Sequence, residues 1–150
     1  MMKNHQIEEL ISGHSGWGPD FYDDEIITYK APRKSDFHRA FKKLERELGI
    51  ETQRVRKRGK ADIICQWGDT GEWAGWCSYE RTKRGREYSK VVVEKGNWYT
   101  QSTVVHEIGH ALGMSHPHDH SRTDTIMSYG APGDLPWFTR LDLQVLDYLY

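Results

Sequence analysis

Apolar positions change their period several times along the chain. Glu25 to Lys30 (EIITYK) is β-branched and aromatic, the pattern of a strand, and Ala31-Pro32 ends it. Ser35 then offers an N-cap, with Asp36 in the first turn. Phe37, Phe41, Leu44 and Leu48 follow at helical spacing until Gly49 stops the helix. Thr52 to Arg56, Ala61 to Trp67, Trp73 to Glu80 and Tyr88 to Glu94 read as further strands, with Gly59, Gly68, Gly71 and Gly85 in the gaps. The short connection Lys57 to Lys60 reads as a hairpin. A helix is expected from about Thr100 to Leu112. Another is expected from Thr139 to Tyr150, with Thr139 as N-cap, Asp142 three residues on, and Leu141, Val145 and Leu149 on one face. No repeat or linker interrupts the pattern, so one α+β or α/β domain is expected over 25–150, after an irregular lead-in over 1–24.

The formal net charge of −1 gives no global field toward nucleic acid or anionic lipid, and no apolar run reaches the ~20 residues that span a bilayer. Met1 to Gly16 lacks a basic stretch followed by an apolar one, so no secretory signal is read and the site of action stays open. Two basic clusters, Arg54 to Lys60 and Arg81 to Arg86, read as solvated turns. Cys65 and Cys77 are too few for a disulfide framework and read as free thiols.

Histidine is the informative residue. The chain has eight, and four of them fall between His110 and His120. In His106 to His116 (HEIGHALGMSH) the first two histidines are four apart, which stacks both rings on one helix face. Glu107 is rotated away from that face and reaches a water on the ion, not the ion itself. Gly113 is placed to turn the chain in the left-handed conformation and swing His116 back to the same ion. Three nitrogen ligands leave a fourth position open, the pattern of a catalytic zinc site. His118 and His120 are rivals for the third ligand. Gly109 costs about 1 kcal/mol inside a helix relative to alanine, so close approach of neighbouring backbone is expected there.

HEIGHALGMSH resembles the extended zinc motif of the metzincin metallopeptidases, HExxHxxGxxH. Ile126-Met127-Ser128-Tyr129 resembles the methionine turn of that superfamily. ITYK, ADIICQWG and DLQVLDYLY resemble a first strand, a third strand and a C-terminal helix of matrixin and serralysin catalytic domains. The resemblance implies a twisted, mostly parallel five-stranded sheet with one antiparallel edge strand and three main helices. Against the local hairpin reading, it makes the strands on either side of Lys57 to Lys60 parallel, and that arrangement is the one expected. It also puts Cys65 and Cys77 on strands that are not neighbours. It further implies that Tyr129 ligates zinc at rest and stabilises the transition state, and that Asp142 buttresses the turn around Met127.

These features lead to a zinc-dependent endopeptidase. One ion is expected on His106, His110 and His116, with Glu107 as general base and a zinc-activated water as nucleophile. Gly113, Met127 and Asp142 are expected to support the site. A protein or peptide substrate would lie extended along Trp73 to Glu80. The loop Gly130 to Phe138 would wall the specificity pocket, with Trp137 or Phe138 either shaping it or packing on a helix. A monomer without nucleic-acid or membrane partners is expected. No cysteine-switch propeptide, matrixin-type structural zinc histidines or calcium repeats are recognisable. The alternatives are a catalytically silent zinc-bound module and a zinc amidase acting on cell-wall peptides.

Overall fold

The computed structural model describes residues 9–11, 26–129 and 135–150. Five strands and three α-helices follow in the order β1 (Ile27–Lys30), α1 (Asp36–Leu48), β2 (Thr52–Arg54), β3 (Ile63–Trp67), β4 (Gly75–Arg81), β5 (Glu87–Val93), α2 (Thr100–Ala111) and α3 (Arg140–Leu149). One mixed sheet forms, ordered β2-β1-β3-β5-β4. All neighbours are parallel except β4, which runs antiparallel to β5 along the edge. This is an α+β fold suited to a metallopeptidase domain.

The strands on either side of Lys57 to Lys60 are parallel, as the resemblance implies and against the local hairpin reading. A 3-10 turn at Arg58–Lys60 carries the chain over the end of β1, and β1 lies between β2 and β3. The reason is the burial of β1. Ile27 and Tyr29 are fully buried, and a strand so placed needs ladder partners on both sides. Val55 and Asp62 both donate backbone hydrogen bonds to β1, at Tyr29 and Thr28.

The helix caps follow their sequence signals. Ser35 accepts the His38 N–H, and Gly49 closes α1 at φ 69°. The apolar stripe of α1 buries Phe37, Phe41 and Leu44, and Phe41 stacks on Tyr29 at 4.1 Å between ring centroids. Each such side chain contributes roughly 1.5–3 kcal/mol. Thr139 and Asp142 form a reciprocal capping box on α3. α2 packs against β4 and β5, which sets its histidine face beside the free edge of the sheet. No helix among the described residues is long and apolar enough to cross a membrane.

Candidate metal centre

His106 and His110 are one turn apart on α2. Past Ala111 the chain turns at Gly113, whose φ of 106° is strained for any residue with a Cβ. That turn brings His116 back. The three Nε2 atoms lie 3.0–3.2 Å from one another. His106 Nδ1 is 2.7 Å from the Ile126 carbonyl and His110 Nδ1 is 3.0 Å from the Met114 carbonyl. A carbonyl only accepts, so each Nδ1 carries the proton and each Nε2 presents a lone pair inward. Converging lone pairs repel unless a cation lies between them. Tetrahedral zinc at 2.0–2.1 Å from each nitrogen sets them roughly 3.3 Å apart, close to the spacing observed. The donor set therefore fits zinc. No other group of three or more histidine, cysteine or acidic side chains converges in this way among the described residues. His120 stays outside it, its ring 5.7 Å from that of His116.

The electrostatics suit a cation. Burial, then the charges of His106 and His116, pushes His110 down to about 3. Burial, then His106, pushes His116 down to about 4. Both imidazoles are thus neutral and ready to ligate. Glu107 is buried beside them, and burial alone pushes its carboxyl up to about 8. A cation at the imidazoles would pull it back down.

Glu107 opens on a cavity of about 270 Å³ lined by Trp73, Gly75, Thr103, His106 and Tyr129 among others. Gly75 is the first residue of the edge strand. A Cβ there would fall 2.8 Å from Thr103 Cγ2 and 3.2 Å from Glu107 Cγ, so glycine lets β4 lie against α2. Tyr129 is 63% exposed, its ring 4.3 Å from His116 and 4.8 Å from His120. Burial, then Glu107, raises its phenol above the usual range.

Below the histidines, Met127 is fully buried against Gly109, and Phe138 approaches the same glycine. The close approach expected at Gly109 is thus made by side chains, not by backbone. Asp142, also fully buried, accepts from Thr125 Oγ1, from Ile126 N at 2.9 Å and from Thr139 N at 3.0 Å. One carboxylate thereby ties α3 to the turn carrying Met127 and to the carbonyl that orients His106. Of the expected pocket wall, 130–134 lie outside the described residues. Phe138 packs inward, and Trp137 donates to Glu47 on α1.

Several supports left no recognisable signal in the sequence. Thr125 links Asp142 to the Met127 N–H, at 3.1 Å. Tyr79 and Tyr150 donate to the carbonyls of His110 and Leu112 at the end of α2. Leu10 is fully buried and its carbonyl accepts the Ser115 N–H, while Ile11 bridges Met114. Glu9 accepts the His118 N–H at 2.7 Å and pairs with Arg122. The loop that carries His116 is thus held by a segment far away in sequence.

Sheet, helix and histidine cluster together fit a metallopeptidase domain. A family model described as metallo-peptidase family M12B, reprolysin-like, matches residues 55–135, more than half of the chain. The chain belongs to that family. The match is to reprolysin-like peptidases, where the flanking segments resemble matrixins and serralysins. No curated protein matches the chain.

Proposed function

We propose that the chain is a zinc-dependent endopeptidase in which His106, His110 and His116 hold the ion and Glu107 is the general base. The observation that carries this reading is the convergence of three Nε2 atoms within 3.2 Å beside the buried carboxyl of Glu107 at the mouth of a cleft. A closed structural site would require a fourth protein ligand. It would have no use for Glu107.

When bound, zinc supplies a Lewis acid that acidifies water and polarises a carbonyl. Glu107 takes the proton of the attacking water and returns it to the leaving amine nitrogen as the C–N bond breaks. The Tyr129 hydroxyl donates to the oxyanion on the tetrahedral carbon. Its exposed ring, seated on His116, can swing without disturbing the core. Gly113 turns His116 inward. Met127 and Asp142 hold the floor and orient His106 through the Ile126 carbonyl. The substrate backbone pairs with the open edge of β4, which starts beside Glu107.

The test is cleavage of a denatured protein by the zinc-loaded chain, with Glu107→Gln alongside. Cleavage by the wild type alone, with zinc retained in both, is expected. Loss of zinc in Glu107→Gln would make Glu107 a structural residue. No cleavage by either zinc-loaded protein would leave a silent module or an amidase for non-protein substrates.

A further inference from the structure

The two basic clusters, 27 residues apart in sequence between Arg54 and Arg81, meet at one end of the sheet. The turn through Arg58–Lys60 leads into β3, and the hairpin after Arg81 leads into β5. β3 and β5 are parallel neighbours that start level, Ile63 opposite Ser89. Arg86 in the second loop lies 3.6 Å from Asp62, just after the first, and Arg58 exerts its charge on Tyr88. Arg56, Lys57, Arg58, Lys60, Lys83 and Arg84 are exposed. None of these six forms an ion pair among the described residues, whereas Arg81 and Arg86 are paired with Glu87 and Asp62.

This patch lies on the path of the proposed substrate. β4 begins at Gly75, against Glu107, and ends at Arg81, where the basic hairpin starts. Its length is roughly 20 Å at about 3.4 Å per residue. Its outer edge has no strand partner among the described residues. A peptide paired along that edge, with its scissile bond beside Glu107, reaches Lys83 and Arg84 about six residues from that bond, and the cations of the first loop lie two strands further in across the same end of the sheet.

We infer that the joined loops Arg56–Lys60 and Lys83–Arg84 are an exosite for an acidic segment of the substrate, lying about six residues to one side of the cleaved bond. The inference rests on the peptidase reading above and names its substrate class. Peptide is favoured over nucleic acid because the patch continues the edge that pairs with backbone, and because a total charge of −1 gives no long-range attraction to a polyanion.

The experiment uses the zinc-loaded chain and a neutral peptide built around a bond cut in a denatured protein. Matched versions carry a run of glutamates or glutamines about six residues away, on the N-terminal or the C-terminal side. The glutamate run on one side only is expected to lower KM roughly tenfold against its glutamine match, with kcat little changed. The gain should vanish in the exposed-loop variant Arg58→Glu/Lys60→Glu/Lys83→Glu/Arg84→Glu, which should still cut the neutral peptide at the wild-type rate. Salt of about 1 M should also remove it. A neutral peptide cut equally well with either extension overturns the exosite and leaves the peptidase reading standing. So does a gain on both sides that survives charge reversal. Tight binding of a single-stranded oligonucleotide at the patch, with no glutamate gain, assigns it to nucleic acid and overturns the proposal. Failure to cut any peptide overturns the peptidase reading itself.

Discussion

A Cβ added to Gly109 would stand 2.7 Å from the sulfur of Met127 and 3.3 Å from the Phe138 ring. The helix carrying His106 and His110 and the turn carrying Met127 thus meet at the one α2 position that has no side chain. Gly109→Ala gains about 1 kcal/mol of helix propensity. It also overpacks a fully buried site, which costs about 1–3 kcal/mol. Met127 is fully buried, so room for it to yield is scarce. A net loss of about 1 kcal/mol is expected in urea unfolding, with reduced zinc affinity from the displaced helix. A variant as stable as the wild type would mean that the turn is looser than its packing indicates.

Asp142 makes a second link, from α3 to the same turn. Its two oxygens serve Thr125 Oγ1, Ile126 N and Thr139 N with no access to solvent. Asp142→Asn puts an amide N–H where one of these donors already points. The expected destabilisation is roughly 2–4 kcal/mol, since a buried donor is left unpaired. Asp142→Asn should also loosen the Ile126 carbonyl that holds His106, so zinc should leave at lower chelator concentration. If stability falls while zinc affinity does not, Asp142 supports the fold without orienting the ligand.

What was legible in the sequence is what depends on local chain geometry. The i, i+4 spacing of His106 and His110 and the glycine at 113 each act within a few residues, and the coordinates place the three imidazoles together. The capping signals at Ser35 and Thr139 act locally too, and α1 and α3 begin beside them. The position of β1 between β2 and β3 was not legible in the local pattern, although the family resemblance already made the strands on either side of Lys57 to Lys60 parallel. It depends on which strand must be buried on both sides, and a four-residue connection carries no mark of that. The docking of Leu10 and Ile11 on the His116 loop was equally hidden, because a sheet bridge between residues 11 and 114 leaves no periodic signal.

The depressed histidines make a pH prediction for the metal-stripped chain. His110 at about 3 and His116 at about 4 lie below the ~6.5 of an unfolded chain. Between those values the unfolded state binds more protons, so folding stability rises with pH. The contribution is fully present above about pH 6.5 and is lost as pH falls through the folded values. Urea midpoints of chelator-treated protein should drop between about pH 7 and pH 4.5. The drop should be less steep than the two histidines alone dictate, because Glu107 at about 8 acts in the opposite sense, and His110→Gln/His116→Gln should remove it. Equal slopes in the two proteins would show that other groups govern the acid transition.

Cys65 and Cys77 make the last prediction. Cys65 on β3 faces Val91 on β5, and Val91 faces Cys77 on β4. One strand thus separates them, so their backbones are two strand spacings apart, roughly 9.5 Å. A disulfide needs Cα atoms within about 7 Å, so both stay free thiols even under oxidising conditions. Burial raises both above the usual thiol range, with Glu107 adding to the effect at Cys77. A thiol attacks only as thiolate, so both should react very slowly with a disulfide reagent in the folded chain and quickly in urea. Because Cys77 is the less buried of the two and its strand forms the open edge, it should react first as the edge frays. Prompt labelling of Cys65 in native buffer would show that the central strands open far more readily than a five-stranded core of this burial permits.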